Sequence, residues 1–92
     1  MKIRLRTIGD LRDYFGREPT EIELKEGATL RDLQLAIDAR WGGILPAYLW
    51  DRNAMQFRGA VFFLINKEVV QDLQTPLQDG LQIDVIKALV GG

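Results

Sequence analysis

The sequence of 92 residues has the composition of one folded domain, with 47% hydrophobic and 27% charged residues. The net charge is −1 and the 12 lysines and arginines are scattered, so we expect no nucleic-acid partner. Cysteine, histidine and serine are absent, which excludes thiolate, iron–sulfur and serine–histidine–aspartate chemistry within this chain. We therefore expect the protein to enter a reaction as a substrate or small subunit, and not as the enzyme.

The N-terminal residues predict where the protein resides. Charged and apolar side chains alternate from Lys2 to Arg6, so the apolar block of a signal peptide is missing. No stretch reaches the ~20 apolar residues that a membrane-spanning helix needs. We expect a cytoplasmic protein with no membrane partner.

The first half of the chain predicts two strands that pair. Apolar and charged residues alternate at residues 2–7 and again at residues 20–24. Between them, residues 10–15 predict a short helical turn that ends at Gly16. The polar side chains are basic in the first strand and acidic in the second, which favours pairing of the two strands.

The longest helix is predicted after a turn at Gly27. Thr29 is a suitable N-cap, and Asp32 three residues later is its approximate capping-box partner. The apolar residues that follow form one helical stripe, which we assign to the core and not to a ligand site. The stripe consists of Leu30, Leu33, Ile37 and Trp41.

The second half of the chain predicts further strands. Residues 44–59 are compatible with one helical turn and with a strand that begins near Phe57, and the sequence leaves their conformation open. Strand patterns then return, including one continuous apolar run that is typical of an interior strand. These strands are predicted at residues 61–65, 68–70 and 81–86, with turns at 66–67 and 75–80.

This order of elements predicts an α+β fold in which one main helix covers one face of a sheet of four to five strands. The other face should meet water, yet several apolar residues fall on its parity. Ile8 and Ile86 both do so, as does one half of the apolar run at 61–65. An apolar patch on this face is a candidate protein-binding surface, and the alternative is that residues 44–59 fold over it.

The printed sequence closes on Gly91-Gly92, directly after the last predicted strand. Glycine lacks a Cβ atom and adopts almost any backbone conformation, so a diglycine can carry a carboxylate through a narrow channel into another protein's active site. Two closing glycines also arise by chance in roughly 1% of chains of this composition. A frayed terminus without a function is the alternative.

Four segments, taken in order, carry a resemblance to a known family. They are the basic first strand leading into Asp-Leu-Arg-Asp-Tyr-Phe-Gly (10–16), Glu-Gly-Ala-Thr-Leu-Arg-Asp-Leu (26–33), Ile65-Asn66, and Thr-Pro-Leu-Gln-Asp-Gly (75–80) before the last strand and the diglycine. In this order and spacing, over essentially the whole chain, they resemble the MoaD/ThiS family of ubiquitin-like sulfur-carrier proteins.

The resemblance implies a β-grasp fold, a mixed sheet curled around one main helix. It implies a domain over residues 1–86 and a flexible tail over residues 87–92, in which Lys87 stands where molybdopterin-type carriers usually have proline. It also implies that a partner enzyme of the ubiquitin-activating type uses ATP to adenylate the carboxylate of Gly92. A sulfur donor then forms a thiocarboxylate, from which a synthase takes the sulfur for a cofactor or metabolite, and the carrier itself binds no cofactor.

The same resemblance implies which residues contact these partners. Contacts are implied for the tail residues Leu89, Val90 and Gly91 and for the exposed sheet face near Val70 and Ile86, to which the alternation adds Ile8. Two alternatives stay open: a ubiquitin-like modifier joined to lysines of other proteins through Gly92, and an interaction module in which the diglycine has no role. The sequence does not identify the receiving pathway (molybdopterin, cysteine or thiamin type), the sulfur donor or the oligomeric state.

Overall fold

A mixed five-stranded sheet is the framework of the structure, a computed structural model in which residues 1–88 are described. The elements run in the order β1 (Lys2–Thr7), a 3-10 turn (Gly9–Leu11), α1 (Arg12–Phe15), β2 (Thr20–Glu23), α2 (Leu30–Trp41), β3 (Trp50–Asp51), β4 (Gln56–Phe57), β5 (Val61–Ile65), β6 (Glu68–Val70) and β7 (Gln82–Lys87). Strands β3 and β4 pair with each other, and the other five form the sheet in the order β2-β1-β7-β5-β6. The predicted α+β architecture, with one main helix, is confirmed.

Strand β1 is the junction of the sheet, because it pairs with β2 on one side and with β7 on the other. The pairing with β2 is antiparallel and places Lys2 opposite Glu23 and Arg4 opposite Glu21, so the predicted meeting of opposite charges is confirmed. The pairing with β7 is parallel, and the remaining neighbours in the sheet are antiparallel. The N-terminal and C-terminal strands therefore lie side by side.

Helix α2 covers the inner face of the sheet. It begins where the backbone N–H of Thr29 donates to Oδ2 of Asp32 at 2.8 Å, which gives one amide of the helix start an acceptor. The four residues of the predicted stripe are buried, none more than 6% exposed. No helix within residues 1–88 is long and apolar enough to cross a membrane. The sheet contributes Ile3, Leu5, Ile22, Phe63, Ile83 and Val85 to the same core.

Residues 44–59 pack against the inner side of the sheet and do not cover its outer face. Trp50 is buried, and its indole N–H donates to Oδ1 of Asp38 in α2 at 2.8 Å. The ring of Phe57 lies 4.8 Å from that of Trp50 and 5.8 Å from that of Phe63 on the inner face, measured between centroids. The alternative in which this segment shields the outer face is therefore wrong.

Arg31 fastens the same segment to α2. Its guanidinium donates to the main-chain oxygens of Ala54 at 2.9 Å and Met55 at 3.0 Å, and to Oε1 of Gln34 at 2.9 Å. Hydrogen bonds from a charged donor are roughly twice as strong as neutral ones. Two of them hold a segment whose conformation the sequence leaves open, and the third fixes Arg31 to a neighbour on α2.

The pairing of the last strand continues to Ala88. Lys87 lies opposite Val61 in β5, and the N–H of Ala88 donates to the main-chain oxygen of Ala60 at 2.8 Å. The paired part of the domain therefore extends two residues past the boundary predicted after Ile86.

Thr7 carries a buried hydroxyl whose replacement by a methyl group should stabilise the fold. It is 5% exposed, and its hydroxyl has no hydrogen-bond partner among residues 1–88. We expect Thr7→Val to raise the free energy of unfolding by about 1 kcal/mol, because folding strips this hydroxyl of its bonds to water without replacing them. Urea unfolding followed by circular dichroism measures the difference.

Thr75→Val is the matched control for this substitution. The hydroxyl of Thr75 donates to the main-chain oxygen of Asp72 at 2.6 Å, so its replacement should lower stability. A Thr7→Val protein less stable than wild type would contradict the expectation.

Candidate partner-binding site

The outer face of the sheet, turned away from α2, has a charged half and an apolar half. On β1 and β2 it carries the basic and acidic side chains that pair across the two strands. On the other three strands the register places Phe62 beside Ile86, and Leu64 beside Val69, on this face. Together with Ile8 these residues form what we call the apolar patch.

The patch is accessible at both of its ends. Ile8 is 45% exposed and Val69 is 51% exposed, and the other three members are partly buried. The N–H of Ile8 donates to the main-chain oxygen of Val85 at 3.1 Å, which continues the pairing of β1 with β7 and brings Ile8 to the side of Ile86. The structure thus places two predicted site residues together, in the lining of a depression of ≈ 270 Å³.

Val70 does not lie on this face. It is paired with the buried Phe63, and its half-buried side chain packs against the core. The outward position of β6 belongs to Val69, opposite Leu64. The placement of Val70 on the exposed face is therefore wrong, since two adjacent valines in a three-residue strand give no alternation from which to read its direction.

A bidentate ion pair marks the border between the two halves. Arg6 donates through Nε and Nη2 to the two carboxylate oxygens of Asp84, at 3.0 and 2.9 Å. The hydrogen bonds that the Arg6 guanidinium donates to this carboxylate raise its pKa, so the guanidinium stays charged. Asp84 also lies opposite Leu64, so this pair of charges beside the patch is neutralised within the chain. No pattern in the sequence indicates this pair, because only the parallel β1–β7 pairing joins the two residues.

A second polar cluster lies at the end of β7. The ammonium of Lys87 is 3.5 Å from Oδ2 of Asp10 and 6.0 Å from the ring centroid of Tyr48. A hydrogen bond of 3.3 Å joins the hydroxyls of Tyr48 and Tyr14. This cluster connects the last strand to the 3-10 turn, to α1 and to residues 44–59.

The tail part of the predicted site follows Ala88. Leu89, Val90, Gly91 and Gly92 lie outside the described residues, so their predicted roles rest on the sequence.

A comparison of the whole sequence with models of known protein families gives a match. The sequence model of the ThiS family matches residues 5–92, a span that includes both the apolar patch and the diglycine. The chain belongs to the ThiS family. The resemblance found in the sequence is thereby confirmed.

Several solved structures share the fold of this ThiS-family chain. SAMP1 from Haloferax volcanii has a TM-score of 0.78 at 16% identity, with 100% of both chains covered. A Pyrococcus furiosus protein described as subunit 1 of a molybdopterin converting factor has a TM-score of 0.71 at 26% identity, covering 95% of this chain and 97% of that one.

A third similar structure contains a partner. A chain of the Amycolatopsis orientalis BexX/CysO complex has a TM-score of 0.65 at 23% identity, covering 98% of this chain and 99% of its own. Together the three likenesses show the ubiquitin-like β-grasp fold that the sequence predicted. No curated protein matches the chain.

The bond between Tyr14 and Tyr48 gives a pH-dependent prediction. The hydrogen bond that joins Tyr14 to Tyr48 is the main reason why the pKa of Tyr14 is raised above 10.0, because a Tyr14 hydroxyl that donates to Tyr48 is stabilised in its protonated form. We expect Tyr48→Phe to lower the pKa of Tyr14 towards its ordinary value. The pKa is measured by following the NMR chemical shift of the Tyr14 ring carbon beside the hydroxyl as the pH is raised. Because the raised pKa belongs to the folded state, the stability that the bond contributes is present below pH 10 and is lost as the pH rises through the pKa of folded Tyr14.

A substitution away from the two tyrosines provides the control. Lys67→Met, in the exposed β5–β6 turn, leaves both hydroxyls and their contacts in place and should preserve the raised pKa of Tyr14. An unchanged Tyr14 titration in Tyr48→Phe would show that the hydroxyls do not interact in solution.

Proposed function

We propose that this protein is a sulfur carrier whose reacting group is the carboxylate of Gly92. A partner enzyme of the ubiquitin-activating type adenylates this carboxylate with ATP, a sulfur donor converts it into a thiocarboxylate, and a synthase takes the sulfur for a cofactor or metabolite. The observation that carries the proposal is that the ThiS family match runs through Gly92, which makes the diglycine part of the family pattern. The chain is a substrate or small subunit in this reaction, on which the sulfur is carried, and not its catalyst.

The chemistry explains why the chain needs no catalytic side chain. A carboxylate is a poor electrophile, because its charge is delocalised and oxide is a prohibitive leaving group. When a carboxylate oxygen attacks the α-phosphorus of ATP, pyrophosphate leaves and an acyl adenylate forms. Hydrosulfide then attacks the acyl carbon, and AMP departs with the electron pair of the broken C–O bond. The acids, bases and metal ions for these steps belong to the partner, in agreement with the absence of Cys, His and Ser here.

The apolar patch supplies the recognition surface in this proposal. It lies beside the end of β7, the strand that leads into the diglycine, so a partner bound there is close to the tail. Arg6 and Asp84 at its border neutralise each other, so a partner that covers this pair leaves neither of the two charges without a partner. The pairing of CysO with BexX in a similar structure is consistent with such a surface.

Intact-mass analysis tests the reacting group. After incubation with the adenylating enzyme of the same organism, ATP and sulfide, we expect a mass increase equal to the exchange of one oxygen for one sulfur, located at Gly92 by fragmentation. Removal of Gly92, or addition of one residue after it, should abolish the product and leave the fold intact by circular dichroism. The control variant is Lys25→Gln, an exposed change in the β2–α2 connection that should react as wild type does.

The same samples separate carrier from modifier. Full reaction of the protein lacking Gly92 would refute the role of its carboxylate. In cells, a ladder of covalent conjugates through Gly92, without free thiocarboxylate, would indicate the ubiquitin-like modifier instead. Absence of both products from the wild-type protein would leave the interaction module as the function.

Substitutions in the apolar patch test the recognition surface. We expect Ile86→Asp, and separately Ile8→Asp, to weaken binding to the adenylating enzyme by about tenfold or more, because a buried charge replaces an apolar anchor at the interface. Isothermal titration calorimetry measures the affinity.

A variant on the charged half provides the comparison. Glu21→Gln lies on the same face and at the far side of the sheet, so it should bind with an affinity close to that of wild type. Equal affinities for Ile86→Asp, Ile8→Asp and Glu21→Gln would place the interface elsewhere.

A further inference from the structure

The last residue of the sheet has an unusual set of side-chain contacts. Lys87 ends β7, and its position opposite Val61 directs its side chain to the inner side of the sheet. There the ammonium meets the carboxylate of Asp10 at 3.5 Å and the face of Tyr48 at 6.0 Å from the centroid. One flexible side chain thus joins the end of β7 to two other segments of the chain.

Both of these segments are fixed to the core. Asp10 belongs to the 3-10 turn, whose last residue, Leu11, is completely buried. Tyr48 lies in the segment that Arg31 binds to α2, and its hydroxyl is hydrogen-bonded to Tyr14. The two contacts of Lys87 therefore connect it to segments that are themselves anchored to the core and to α2.

Tyr48 itself has no role in the core. Its side chain is 66% exposed, the most exposed of the large hydrophobic residues in the described part of the chain. Burial therefore does not hold the ring in place, and its polar contacts are with Tyr14 and Lys87. A cation over an exposed tyrosine ring, and an exposed ion pair, each contribute modestly, and here they act on the same ammonium.

We propose that Lys87 is a positioning residue whose side-chain contacts with Asp10 and Tyr48 set the direction in which the chain leaves the sheet at Ala88. The proposal rests on the proposed function, since direction matters only if the tail must enter a partner's active site. The main-chain bond from Ala88 to Ala60 holds one side of the strand end, and the Lys87 contacts hold the other. A tail that starts from a fixed direction loses less conformational entropy when it is bound.

Amide hydrogen exchange tests the contacts without any enzyme. In Lys87→Met, which keeps the length of the side chain and removes the charge, we expect the Ala88 amide to exchange about 2- to 5-fold faster than in wild type. Asp10→Asn and Tyr48→Leu should each have part of this effect, and Lys87→Arg should restore slow exchange. The control is Lys67→Met in the exposed β5–β6 turn, which should leave Ala88 unchanged.

Steady-state adenylation tests the positioning role. With the adenylating enzyme and ATP, Lys87→Met should raise KM for the carrier by a similar factor and leave kcat unchanged, whereas Lys67→Met and Lys87→Arg should match wild type. Because the ion pair is exposed, the difference in KM should shrink as salt is raised.

The two measurements fail in different ways. Equal Ala88 exchange in Lys87→Met and Lys67→Met would overturn the proposal, and so would faster exchange accompanied by an unchanged KM. If wild-type protein formed no adenylate at Gly92 whatever the exchange rates, the proposed function would fail instead.

Discussion

The parallel pairing of β1 with β7 is the constraint on which both the fold and the candidate site depend. It places Leu5 beside Ile83 and Thr7 beside Val85, which closes the core against α2. Its continuation past Thr7 brings Ile8 to Ile86 and so assembles the apolar patch from the two ends of the chain. Parallel strands require a long crossover connection, and the residues between β1 and β7, including α2, form it.

The two faces of β7 make different contacts at the point where the tail begins. On the outer face, Ile86 adds apolar surface next to the neutralised pair of Arg6 and Asp84, which suits contact with a partner. On the inner face, Lys87 is held by Asp10 and Tyr48. The proposed carrier function has two requirements, a surface that a partner recognises and a tail that is correctly presented. In that proposal, two successive residues of β7 provide for both.

Most of the framework could be predicted because it follows local periodicity. The stripe of α2, the alternation of β1 and the outward direction of Ile8 and Ile86 are each fixed by the spacing of residues in one segment. Val70 could not be placed, since a strand with two adjacent valines has no such spacing. Residues 44–59 could not be placed either, because what orders them is Arg31 donating to main-chain oxygens, which every residue possesses.

The sequence by itself determined the family. The absence of Cys, His and Ser excluded thiolate and serine–histidine–aspartate chemistry within the chain, and the order and spacing of four short segments carried the family resemblance, since both are properties of residue identity. Only the tertiary structure decided that Val69 and not Val70 faces outward, that Arg6 pairs with Asp84, and that Lys87 is bound instead of free. These outcomes depend on strand register and on contacts between residues up to 78 positions apart, which no local pattern encodes.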